Sequence, residues 1–367
     1  MDQDLLYRVG LTLVPHIGCV HARILAEKYG TIQDVFSASL KELTSLEGIG
    51  QVRARSIKSF RDFSAAETEM RFFEKYRINP LFITDPQYPQ RLLNCYDAPT
   101  LLYYKGEADL NHPKIVAIVG TRNHTEYGRQ ATEKLVKELA AQQVLIVSGL
   151  AFGIDAVAHK AALKNNLPTA GVLAHGLDQL YPSQHAALAR DMVKHGGGLL
   201  TEFRSGTNPD KHNFPTRNRI VSGMSDATVV IETGVKGGSM ITAELANGYN
   251  RDVFAFPGKT TDHKSAGCNY LIRTNKAILL TEAGELLDVM NWAEKPKVSA
   301  KKQREIFIEL TEDEKKIITI LKEKEYTPID ELNLKSNLSS SAVAAAVLSL
   351  ELQGVILSLP GKLYQLA

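Results

Sequence analysis

Short runs of uninterrupted apolar residues, each followed by a helical stretch, constrain this chain more than any other feature. The runs at 115–119, 144–147, 169–174, 199–203, 227–231 and 253–256 are apolar at most positions rather than at every second residue, the run at 199–203 ending in Thr201, Glu202 and Phe203. That pattern belongs to strands buried on both faces. Between them lie stretches of helical periodicity such as 126–141. Strands alternating with helices predict an α/β fold, a doubly wound, Rossmann-like parallel sheet over residues 111–290.

The flanks read differently. Before residue 75 the apolar positions Leu6, Val9, Leu13, Ile24, Leu25, Val35, Leu40 and Leu43 suit helices. Two segments there share one form: Val14-Pro15-His16-Ile17-Gly18 and Leu46-Glu47-Gly48-Ile49-Gly50 each place glycine just before a helix that begins with small or basic residues. Such turns expose backbone N–H groups and resemble helix-hairpin-helix units, although glycine also serves simply to join helices in a bundle. Residues 1–75 therefore read as a helical domain, helix-hairpin-helix or SAM-like. Pro80, Pro86, Pro89 and Pro99 interrupt 76–110, which reads as a connecting segment. Lys295, Lys297, Lys301, Lys302 and Arg304 beside Pro296 mark 291–308 as a linker.

Residues 309–367 have a winged-helix outline, with helices over 312–324, 329–334 and 340–353, the last capped by Ser339, and a hairpin around Pro360-Gly361. The would-be recognition helix, 340–352, carries no lysine or arginine. It favours contact with protein over duplex DNA, whose binding leans on cations that neutralise phosphate.

A net charge of +2 is no global signature of nucleic-acid binding, so such a site would have to be a local patch. Cys19, Cys95 and Cys268 are odd in number and far apart. They read as unpaired thiols of a reducing compartment, and no metal or cofactor is expected. Asp2 and Asp4 stand where a secretory signal would be basic, and no apolar run reaches bilayer-spanning length. The expected location is the cytoplasm, without membrane association.

In a doubly wound sheet, ligands collect beyond the carboxyl ends of the strands. Gly120-Thr121-Arg122, the stretch Ser148 to Ile154 with Gly149 and Gly153, His175-Gly176-Leu177, and the turn TGVKGGS ending at Gly238 and Ser239 all fall there. Small residues let a backbone approach phosphates, a helix N-terminus favours anions, and Arg122 can add a charge-assisted bond. Upstream, residues 210–219 offer Lys211, Phe214, Arg217 and Arg219 against Asp210 alone. A cation and an aromatic three residues apart suit a single strand, lysine on phosphate and ring on base. In the alternative, Phe214 is core and the arginines pair with Glu202 or Glu232. The dinucleotide fingerprint is absent, because the next glycine after Gly120 is Gly128. No catalytic set stands out either. Asp155 and His159, four apart, read as a structural hydrogen-bonded pair on a helix.

Taken in order, Ile118-Val119-Gly120-Thr121-Arg122, Ser148-Gly149-Leu150-Ala151 with Gly153-Ile154-Asp155 and His159, Gly176-Leu177-Asp178 with Tyr181-Pro182, Phe214-Pro215-Thr216-Arg217-Asn218-Arg219-Ile220, Gly238-Ser239 with Thr242-Ala243, and Val253-Phe254-Ala255-Phe256-Pro257-Gly258 resemble the DNA-processing protein A (DprA/Smf) family. The resemblance implies a dimeric protein, not an enzyme, that coats and protects single-stranded DNA entering during natural transformation and loads RecA recombinase onto it. Arg122, Ser148, Gly149, Lys211 and Phe214 would line the strand groove, with Gly153, Arg217, Arg219, Gly238 and Ser239 completing the DNA-binding set. The homodimer would form through residues 269–280, with Leu271, Ile272 and Ile278 as contacts.

Two other readings compete. The glycine turn is also similar to GGxGTxxE of the lysine-decarboxylase-like phosphoribohydrolases, nucleotide-binding enzymes. Aligned there, Thr242 stands where the glutamate should be, and Glu244 lies roughly 200° round the helix. A duplex-DNA regulator using the C-terminal domain is weakened by its cation-free helix.

Overall fold

The computed structural model describes residues 2–293, 310–324, 326–359 and 362–366, divided into two compact units, Met1–Ala293 and Glu294–Ala367. Among the described residues of the first unit, nine strands form one sheet: β1 Asn79–Phe82, β2 Leu101–Gly106, β3 Ile115–Val119, β4 Leu145–Ser148, β5 Thr169–Val172, β6 Gly198–Thr201, β7 Ala227–Val230, β8 Asp252–Ala255 and β9 Ile278–Leu279. Their order is β1-β2-β6-β5-β4-β3-β7-β8-β9. The run from β6 to β9 is parallel, and β1 and β2 extend it antiparallel.

The unbroken apolar runs follow from burial on both sides. In β3, Ile115, Ala117 and Val119 join one core with the N-terminal helices, while Val116 and Ile118 join another beneath the helices Glu126–Leu139 and Ile154–Lys164. Pleating sends alternate residues to opposite faces, so two covered faces demand apolar residues at every position.

Residues 76–110 are not a connecting segment, because they supply β1 and β2. Pro80 is accommodated because β1 is the edge strand, where a missing N–H need not cost a ladder bond. Tyr88 is fully buried and its hydroxyl donates to the Pro99 carbonyl at 2.7 Å. Arg91 donates to both carboxylate oxygens of Asp226, at 2.6 and 2.9 Å, tying this stretch to the start of β7.

The N-terminal helices, Gln3–Leu13, Cys19–Lys28, Ile32–Ser37, Leu40–Thr44, Gln51–Ser59 and Ser64–Tyr76, pack around Tyr7, Phe36, Phe60 and Phe63. Gly48 takes the left-handed conformation expected of its turn, with φ of 81°. In the first hairpin that conformation falls to His16, and Gly18 is an extended N-cap.

The second unit is a winged helix. Helices Glu312–Leu321, Ile329–Ser336 and Ser340–Leu352 accompany a sheet of β10 Thr327–Pro328, β11 Ile356–Leu359 and β12 Leu363–Leu366, in the order β10-β12-β11. The Ser339 hydroxyl accepts from the Ala342 N–H, capping the last helix. The basic stretch 295–304 and Pro360-Gly361 lie outside the described residues.

Candidate nucleic-acid interface

The strand order departs from β3 in two directions, toward β4 on one side and β7 on the other, which places the topological switch point between β3 and β7. A cleft of about 610 Å³ opens there, lined by the loops after β3, β4 and β7 and by the helix Asn213–Gly223.

The loop after β3 is held at both ends. Thr121 N–H donates to the Glu232 carbonyl at 2.7 Å, and the N–H and hydroxyl of Thr125 both donate to the buried Glu232 carboxylate, at 2.8 and 2.5 Å. Arg122 rises from this loop, exposed, with its guanidinium 5.0 Å from the centre of the Phe214 ring. A guanidinium lying on a ring still has N–H edges to offer an anion. Lys211, also exposed, lines the same cleft.

Residues 214–219 belong to a helix despite Pro215, because the missing proline N–H falls in the first turn, where helix N–H groups lack partners in any case. Helical spacing then separates the two arginines. Phe214, Arg217, Asn218 and Val221 face the cleft. Arg219, expected on the DNA, faces away: its side chain is 11% exposed and ion-paired with Glu202, itself 15% exposed. Arg217 lines the floor, 5% exposed, donating to the Val172 carbonyl, with its Nε buried and without a partner among the described residues. Burial raises the pKa of neighbouring Asp155, an effect the Arg217 charge opposes. Arg217 is thus a fixed positive charge in the floor rather than a free phosphate clamp.

The glycines divide in the same way. Gly149 lines the cleft, and a Cβ there would run into the Arg217 guanidinium and the Asp155 carboxylate. Gly153, with φ of 84°, lies beneath the Thr121–Arg122 backbone, so it supports the Arg122 loop instead of lining the cleft. Ser148 is wholly buried and its hydroxyl donates to the Ile118 carbonyl at 2.6 Å, which removes that hydroxyl from the groove. Gly238 and Ser239 open the helix Gly238–Gly248, whose N-terminus has no side-chain cap and borders the cleft. Its first-turn amides favour an anion.

His159 and Asp155 do not pair. The His159 ring nitrogens lie 2.7 Å from the Thr169 hydroxyl and 2.6 Å from the Gly149 carbonyl oxygen. Burial pushes its pKa down to about 4. Asp155 instead accepts from the Ala151 N–H at 3.3 Å. Thr242 occupies the cleft wall, while Glu244 is exposed beside Lys276 at 3.6 Å.

Among the expected dimer contacts, Leu271 is wholly buried in the core, and Ile272 is partly buried against it. Ile278 is 43% exposed on β9, the end strand of the sheet. Tyr181, Asn218, Ile241 and Thr233 also line the cleft, and Glu232 anchors its Arg122 loop. Sequence spacing pointed to none of these roles except that of Thr233, which opens the TGVKGGS turn. Asn218 was within reach of it, one turn from Phe214 once the helix is recognised. Among the described residues there is no cluster of metal-binding side chains and no helix long and apolar enough to cross a membrane.

The family described as DNA recombination-mediator protein A matches residues 79–291, a helix-hairpin-helix motif matches 8–68, and the DprA winged helix domain matches 306–362. Protein Smf of Synechocystis sp. is 32% identical over 98% of this chain and 98% of its own. The structure of DNA processing protein A from Streptococcus pneumoniae is 33% identical, with a TM-score of 0.65, covering 78% of this chain and 98% of that one. DNA processing protein A from Helicobacter pylori, whose structure is described in terms of a single-stranded DNA binding mode, is 30% identical, with a TM-score of 0.53, over 59% of this chain and 96% of that one.

Proposed function

This chain belongs to the DNA recombination-mediator protein A family, and we propose that its cleft binds single-stranded DNA, which the protein protects and loads with RecA recombinase in the cytoplasm during natural transformation, acting as a homodimer. The observation that carries the reading is the placement of Arg122 over Phe214, with Lys211 on the same cleft. Cations for the phosphates and a ring for the bases line one cleft, which the N-terminus of the helix Gly238–Gly248, without a side-chain cap, also borders. Stacking suits unpaired bases, since a duplex buries their faces. The described DNA-binding mode of the Helicobacter pylori relative supports the same ligand.

Hydrolysis of a nucleotide is less well served. Thr242 stands in the wall where the related hydrolases have a glutamate, and the Glu244 carboxylate interacts with Lys276 instead. Of the expected DNA contacts, the geometry favours Arg122, Lys211, Phe214, Gly149, Gly238 and Ser239, with Arg217 as a buried charge behind them. Ile278, exposed on the end strand, is the dimer contact best supported.

Arg122→Ala and Lys211→Ala should each weaken single-stranded DNA binding by about 1–3 kcal/mol and flatten its salt dependence. Gel-shift titrations across salt test this, and unchanged affinity in both folded variants would refute the groove.

A further inference from the structure

Beside the cleft, and sharing Arg122, Tyr181 and Phe214 with it, lies a slot of about 30 Å³ also bordered by Phe152 and His175. Two of its rings stand open to solvent: Phe152 is 45% and Tyr181 49% exposed. Buried histidines back the Tyr181 backbone and the Phe152 ring. Tyr181 N–H donates to His175 Nε2 at 3.1 Å, which leaves Nδ1 to donate to the Gly176 carbonyl at 2.9 Å. Phe152 meets the His185 ring edge to face at 4.9 Å, and His185 Nδ1 in turn lies 2.9 Å from the Leu150 carbonyl oxygen. The Tyr181 and Phe214 ring centres are 6.1 Å apart at 59°, so each ring keeps a separate face. Arg122 borders both the slot and the main cleft, so the positive charge a strand's phosphates would follow continues onto this wall.

The Phe152 ring packs on His185 and the Tyr181 ring on Phe214, and rings so placed lose little further freedom when a ligand stacks on them. We propose that the single strand does not end at Phe214 but continues across Tyr181 and Phe152, each ring stacking one further base, so that this wall extends the DNA site by sequence-tolerant contacts. The inference rests on the single-stranded DNA reading of the cleft. It places the determinants of strand length on two aromatic residues, Phe152 in the loop after β4 and Tyr181 before Pro182.

The test compares an oligothymidylate long enough to cross the cleft with an abasic strand of the same length, which keeps the phosphates and removes the bases. Tyr181→Ala and Phe152→Ala should each lower oligothymidylate affinity by about 5- to 150-fold and leave abasic binding unchanged. Tyr181→Phe, which keeps the ring, should bind as wild type and shows that the position tolerates substitution. Arg122→Ala should lose affinity for both strands. Equal losses on both strands for the ring variants, or no loss on either, would overturn the inference while leaving the cleft assignment standing. Failure of the wild-type protein to bind either strand would remove both.

Discussion

Replacing Arg219 with methionine separates a structural arginine from a DNA-binding one, because the two roles give opposite results. The Arg219–Glu202 pair is nearly enclosed, at 11% and 15% side-chain exposure. Burial raises the Glu202 pKa and Arg219 counteracts it. Removing one member of a buried pair costs about 3–5 kcal/mol, because the other charge is left without compensation. Glu202 Oε1 and Arg219 Nη1 have no hydrogen-bond partner among the described residues, so the pair lacks the second bond of a bidentate contact, and the loss belongs near the lower end, about 3 kcal/mol. Glu202→Leu together with Arg219→Met should recover most of it, since exchanging both charges for apolar groups is often neutral. Trp292 is the chain's single tryptophan and packs on the core of the first unit, so its fluorescence during urea unfolding follows that unit. Arg219→Met should lower the midpoint, the double variant should restore it, and DNA affinity of the folded protein should not change. A variant that unfolds like wild type but has lost DNA binding would refute the structural assignment.

Phe214→Ala should cost roughly 1–3 kcal/mol in single-stranded DNA affinity with little change in melting, since the ring is only partly buried; a lower melting temperature with normal binding would make Phe214 a core residue. His159, held near pKa 4 by burial against about 6.5 unfolded, contributes about 3 kcal/mol of stability that is fully present above pH 6.5 and lost as pH falls toward 4. Urea midpoints across that range should fall less steeply for His159→Gln than for wild type, and parallel slopes would discount the histidine. Ile278→Asp should shift the mass in solution from that of the proposed dimer to that of a monomer, because a charge would replace an apolar side chain on the end strand; a dimeric mass in the variant would move the proposed interface elsewhere.

What could be read from the sequence followed from how many constraints each residue obeys. Strands β3 to β8 are covered on both faces, so their apolar runs were unambiguous. Strand β1 also lies in the sheet, but as an edge strand it tolerates Pro80, and a residue that breaks a central strand therefore hid a peripheral one. The same limit governs the site. Arg122 stood out because it follows a strand end directly, where topology assigns ligands. Arg217 and Arg219 were indistinguishable until residues 213–223 were known to be helical, since Pro215 looks like a break yet sits in the first turn. At about 100° per residue, two positions turn a side chain most of the way to the opposite face, so the cleft takes Arg217 and the interior takes Arg219. Whether an arginine meets a phosphate or a carboxylate was thus decided by helical phase, and the carboxylate that claimed Arg219 follows β6, a strand the sequence places but whose neighbours it does not.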